Sequence, residues 1–272
     1  MINNYLIKRY KGFTLVEMAI VLVILGFVLS ALLLPLQAQR QQIFQAQTEN
    51  TLENSKRALL GFAQSRGRLP CPATAASNGA ELPLGGGICT QQVGFLPAAT
   101  LGVEPTDAQG FALDAWNNRI RYAVTQSSLA GTPATWDFTS NIADNLATPL
   151  VNEADGMNAV GIANLTPDLR VCNSATGITA IACSAAPEVN YSINNSVAVI
   201  YSTGATGAQA IGGVDETANL NDADLNGIID DGVFVSHDIT AAGAVNGEFD
   251  HLVVWISPFV LYNAMIQAGQ LH

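Results

Sequence analysis

Apolar positions are spread unevenly along this chain. Positions 13–36 are apolar almost without interruption, 24 residues holding one ionisable side chain, Glu17. At about 1.5 Å per residue, a helix of that length crosses a hydrocarbon core about 30 Å thick, so the run predicts a membrane-spanning segment. Pro35 stands near its end, and its missing amide hydrogen predicts a bend or local unwinding there. Over 37–65 the sequence turns polar and rich in Gln and Ala. Within it Ile43, Phe44, Leu52, Leu59, Leu60 and Phe62 recur at helical spacing. That stripe predicts a continuing helix with one apolar face, ending near Gly67 ahead of Pro70. Its role is core packing rather than ligand binding.

Beyond Gly67 the pattern shortens. A Gly- and Pro-rich passage from Leu69 to Gly87 predicts a loop, and 119–125, 196–202 and 251–257 read as strands rich in β-branched and aromatic residues. A helix closes the chain. The expected fold class is α+β, with a long N-terminal helix laid on an antiparallel β-sheet in one domain over 68–272. The run from Gly204 to Gly213 lacks the Gly-Lys-Ser/Thr of a phosphate-binding loop and gives nucleotide binding no support.

Composition sharpens this picture. Of 272 residues, 49% are hydrophobic and 12% charged, a balance unusual for a cytosolic protein and explained mainly by the one apolar run. Lys8, Arg9 and Lys11 precede that run, whereas from Leu69 onward three arginines face nineteen Asp and Glu. The positive-inside bias predicts a single-pass segment with a cytoplasmic N-terminus and an exported acidic domain. Such a domain repels phosphate, so no direct nucleic acid binding is expected. All four cysteines lie beyond the apolar run. Of three connectivities, the local pairs Cys71 with Cys89 and Cys172 with Cys183 are favoured. No C-x-x-C spacing occurs and no histidine lies near a cysteine pair, which weighs against zinc.

The motif with the sharpest chemistry is Lys11-Gly12-Phe13-Thr14-Leu15-Val16-Glu17. A carboxylate near the start of a membrane helix is costly and needs compensation, unless it merely sits at the headgroup interface. Basic leader, glycine, phenylalanine, then glutamate resembles the N-terminus of type IV prepilins and type II secretion pseudopilins. The resemblance implies cleavage after Gly12 by a prepilin peptidase, methylation of the new amine of Phe13, and pairing of Glu17 with that amine on a neighbouring subunit. It also implies a leader over 1–12, an assembly helix over 13–36, a soluble stalk half over 37–67 and a type IV pilin-like fold. The implied partners are other pilin subunits, the peptidase and an inner-membrane assembly platform. The implied location is the bacterial inner membrane, then a periplasmic or cell-surface filament. Asp114-Ala115-Trp116-Asn117-Asn118 loosely resembles a tryptophan turn of major pseudopilins, with Asn117 where they carry glycine; Trp116 reads equally as a core anchor.

One soluble segment carries site chemistry. Asp222, Asp224 and Asn226 alternate, Gly227 permits a sharp turn, and Asp230 or Asp231 could close an oxygen shell, as in the first half of an EF-type calcium loop. Val233 stands at the twelfth position in place of glutamate, so a solvated acidic turn is the alternative. No Gly-x-Ser-x-Gly, no His-Glu-x-x-His and no free nucleophilic cysteine is evident, and no enzyme activity is expected. Three functions remain: a filament subunit, most like a minor pilin; a type II secretion pseudopilin; or an adhesive module at a pilus tip.

Overall fold

A computed structural model describes residues 12–126, 135–142, 155–179, 181–184, 190–207, 213–220, 232–241 and 243–272, with backbone alone for 31–38. Helix α1 spans Leu15–Arg66, 52 residues. It continues through Pro35, so the unwinding expected there is absent. A proline deletes one amide hydrogen bond, and the remaining turns carry the helix across the gap. Gly67 ends it as the sequence predicts, in the left-handed conformation (φ +72°) with its N–H on the Ala63 carbonyl at 2.8 Å.

The chain divides into two compact units, Met1–Phe44 and Gln45–His272. In the first, the helix side chains described up to Ser30 are exposed. Among the described residues no helix is long and apolar enough to cross a membrane. The expected span includes 31–36, which contribute backbone only. Ile43 departs from the predicted stripe and is exposed.

In the second unit the buried stripe of α1 is Thr48, Leu52, Ser55, Leu59 and Ala63, spaced by three or four residues as helical geometry demands. Its two hydroxyls are satisfied: Thr48 Oγ1 accepts from the Ala115 amide, and Ser55 Oγ donates to the Thr51 carbonyl. Chain order then runs β1 (Val93–Phe95), α2 (Ala98–Leu101), β2 (Arg121–Val124), α3 (Met157–Val160), β3 (Leu169–Cys172), β4 (Tyr191–Ser196), β5 (Ala198–Ser202), α4 (Val214–Asn219), β6 (Val233–Val235), β7 (Leu252–Ile256) and α5 (Pro258–Gln267).

Strands β1-β2-β5-β7 form an antiparallel sheet in that order. The three predicted strands are its β2, β5 and β7, and the closing helix is α5. The sequence reading lacked a second sheet, β4-β3-β6, in which β3 and β6 run parallel. Alternation separates the layers. Tyr122, Val124, Ala198 and Ile200 pack with Leu52 and Leu59 of α1, whereas Ala123, Val199 and Tyr201 pack with Leu169, Val171 and Phe234 of the second sheet. The first sheet is therefore the middle layer, and β5 is buried along its whole length.

Both disulfides are the sequence-local pairs, Cys71–Cys89 and Cys172–Cys183. Asp114 organises its turn by accepting from the amides of Trp116 (2.9 Å) and Asn118 (2.7 Å) and from Ser202 Oγ (2.6 Å). Asn117 sits there at φ +67°, a conformation that glycine adopts freely and that asparagine tolerates better than most residues. Trp116 is half-buried rather than a core anchor; Trp136 belongs to the core.

Candidate functional site

At the N-terminus, Thr14 and Glu17 close a reciprocal capping box on the first turn of α1. The Thr14 amide and hydroxyl donate to Glu17 Oε2 at 2.8 and 2.9 Å, and the Glu17 amide donates to Thr14 Oγ1 at 3.2 Å. The box satisfies amide donors that have no partner inside the helix. Phe13 is 82% exposed. At Gly12 nothing among the described residues lies within 4 Å of where a Cβ would stand, so their packing does not require glycine there. Gly12, Phe13 and Glu17 thus form a short exposed segment rather than a pocket.

The calcium candidates Asp222, Asp224, Asn226, Asp230 and Asp231 lie outside the described residues. Among those described, a different group of potential ligands comes together: Glu216 from α4 with Asp250 and His251 ahead of β7, all buried, their ligand atoms within 4.8 Å of one another. The Asp250 amide donates to Glu216 Oε1 (2.8 Å), and the Thr206 hydroxyl donates to Asp250 Oδ1 (2.8 Å) with Glu216 Oε2 3.3 Å away. Gly204 makes room for this: a Cβ there would stand 2.3 Å from Asp250 Oδ1.

Burial, reinforced by the charge of Asp250, pushes the Glu216 carboxyl up to about 7. Burial lowers His251 to about 4, so its ring is neutral at pH 7. Which ring nitrogen holds the proton follows from Asn219. Its Oδ1 accepts from the Val235 amide (2.6 Å) and its Nδ2 donates to the Val235 carbonyl (2.9 Å), which leaves the second N–H facing His251 Nδ1 at 3.1 Å. Nδ1 is therefore the acceptor and Nε2 carries the hydrogen, buried and without a partner among the described residues. A ligating histidine needs the opposite tautomer, donating its far N–H to an acceptor. The trio accordingly suits a proton held between two carboxyl groups better than a metal ion. The sequence offered no signal for it, since Glu216 and Asp250 are far apart and match no ligand spacing.

Ser174, Asp215 and His237 also cluster. His237 Nε2 meets Asp215 Oδ2 (3.2 Å) and Nδ1 meets the Asp238 carbonyl (2.7 Å), so neither nitrogen is left to take a proton from Ser174. Asp215 instead ties loops together through the Ala175 amide and Asn246 Nδ2.

Residues 7–33 match the family model described as the prokaryotic N-terminal methylation motif. No curated protein and no solved structure matches the chain. The matched segment contains Gly12, Phe13, Thr14 and Glu17, the residues of the exposed capped helix start. Over that segment, the chain carries the signature of a type IV pilin-like or pseudopilin precursor.

Proposed function

We propose that this chain is a structural subunit, specifically a minor pilin, of a type IV pilus-like filament, with a type IV pilin-like fold. The observation that carries the reading is the methylation motif over 7–33, with Gly12, Phe13 and Glu17 in register inside it. A prepilin peptidase cuts after Gly12 and the amine of Phe13 is methylated. The segment 13–36 holds the subunit in the inner membrane until assembly. There Glu17 meets the Phe13 amine of a neighbouring subunit, a charge pair strengthened by a low-dielectric surrounding. The freedom around Gly12 supports a requirement imposed from outside the chain. The length of the soluble part favours a minor over a major subunit. The acidic loop over 222–231 takes calcium.

The deciding experiment is the intact mass of protein extracted from its native membranes, beside a Gly12→Ala variant. A wild-type species that begins at Phe13 and is heavier by one methyl group, absent from the variant, is expected. A chain still beginning at Met1, or cut near Ala38, would overturn the reading.

A further inference from the structure

Helix α4 is inside out. Its three buried residues are Asp215, Glu216 and Asn219, whereas Val214 is 58% exposed. A surface helix normally docks through an apolar stripe; one that docks through polar groups is held only while their hydrogen bonds are complete. Asn219 completes its own by bonding the amide and carbonyl of Val235, as a neighbouring strand would, on the edge strand β6 of the second sheet. Asp215 is satisfied by the Ala175 amide, Asn246 and His237. Glu216 is complete only when protonated. Its Oε1 accepts from the Asp250 amide, and its Oε2 lies 3.3 Å from Thr206 Oγ1, whose single hydrogen goes to Asp250 Oδ1. The hydrogen for the Thr206–Glu216 contact then has to come from Glu216 itself.

We propose that α4 is a pH-sensitive latch over the edge of the second sheet: closed while Glu216 keeps its proton, it opens with the 203–207 turn when that proton leaves, uncovering the Val235 backbone. An ionised Oε2 would face the lone pairs of the Thr206 hydroxyl and a second buried carboxyl group. Among the described residues nothing offsets that charge. The 203–207 turn brings no ionisable group, and the segment before β7 brings Asp250, His251 and Glu248, whose carbonyl takes the Gly213 amide. His237, just after β6, meets Asp215 instead, and no lysine or arginine stands on any of these elements. Burial and the Asp250 charge raise the Glu216 carboxyl to about 7 from its ordinary 4.5, so the change falls near neutral pH. His251, lowered to about 4, stays neutral meanwhile. The closed state keeps a proton that the open state gives up above 4.5, so closure is firmest at low pH and weakens as pH rises to 7. Sparse apolar burial is what lets a segment open ahead of its surroundings. The latch depends neither on Glu17 nor on processing.

The test is native-state hydrogen exchange of the full-length protein in detergent, read peptide by peptide from pH 5 to pH 8 and corrected for the intrinsic exchange rate. Amides of 214–219 should open at least roughly tenfold more often than α1 amides around the buried Leu52 and Leu59 at every pH. Their opening constant should rise about tenfold per pH unit from about pH 5 to 6.5 and flatten above 7. Glu216→Gln, which keeps a donor towards Thr206, should abolish the rise. Asp215→Asn, which loosens the same helix at its other anchor, should keep it. Three results would overturn the latch: α4 amides that open only together with α1, an opening constant flat in pH, or a rise that survives Glu216→Gln and vanishes in Asp215→Asn. The first would still leave the pH dependence of global stability standing, because unfolding the whole domain also frees Glu216.

Discussion

Arg68 and Glu81 face each other as a two-pronged ion pair, 2.7 and 2.8 Å long, with both side chains nearly sealed from water. Glu81 also accepts from the amides of Cys71 and Gly85, and Arg68 donates to the Leu69 carbonyl and lies over the Phe62 ring. The pair thereby fastens the end of α1 to the loop closed by Cys71–Cys89. Removing one partner strands a buried charge, which costs about 3–5 kcal/mol, whereas an apolar pair of similar volume avoids that penalty. Arg68→Ala should therefore lower the urea midpoint sharply, and Arg68→Met with Glu81→Leu should recover much of the loss. Equal losses in the single and double variants would show that the pair is not what holds the junction.

Legibility of this structure followed the length of each pattern. The helix stripe was readable because Leu52 and Leu59 repeat over several turns, and β2, β5 and β7 because each places a run of β-branched or aromatic residues between breaks. Strands β1 and β6 are three residues each, too short for alternation to register, and the parallel pairing of β3 with β6 joins segments some sixty residues apart. Ile43 fitted the stripe by spacing alone but lies in the first unit and is exposed. The N-terminal motif is local, so its chemistry could be read directly. The Glu216, Asp250 and His251 cluster is assembled by the fold and had no local pattern to betray it.

Thr14 and Glu17 allow capping to be separated from charge pairing. Glutamine at the third helical position closes a capping box as glutamate does, so Glu17→Gln keeps the helix start while deleting the charge. Thr14→Ala does the converse, with a capping loss of about 1 kcal/mol. If Glu17 serves assembly through its charge, Glu17→Gln should reduce the sheared-filament fraction at least tenfold with cleavage after Gly12 unchanged by mass. Thr14→Ala should reduce it far less. A Glu17→Gln chain that still enters filaments normally would leave capping as the function of Glu17.

Glu216 makes a directional prediction in pH. Its folded value, about 7, exceeds its ordinary value of 4.5, so between them the folded state holds more protons than the unfolded one. Stability from this group is present at low pH and falls as pH rises through 7. Glu216→Gln removes that slope and keeps a group able to hydrogen-bond with Asp250 and Thr206. The difference in unfolding free energy between variant and wild type should move in favour of the variant by about 1–3 kcal/mol from pH 4.5 to pH 8. Parallel denaturation curves for the two proteins across that range would contradict the proton-sharing account.

Calcium at the acidic loop makes the last prediction. Val233, the twelfth position counted from Asp222, is buried and pairs with Arg170 in the second sheet, so its apolar side chain serves packing and supplies no oxygen ligand. If the loop takes calcium, closure of the oxygen shell falls to Asp230 or Asp231, and the missing bidentate glutamate places affinity in the weak range of extracellular modules, about 10⁻⁴–10⁻³ M. At 10 mM calcium such a site stabilises the fold by about 1.4–2.7 kcal/mol through mass action. Wild-type protein should therefore melt several degrees higher in calcium than in chelator, a gain lost in Asp222→Ala with Asp224→Ala. The double variant should match chelated wild type, because only the ligands change while Val233 in β6 is untouched. A calcium response that survives in the double variant would place the ion elsewhere, and no response in wild type would leave a solvated acidic turn.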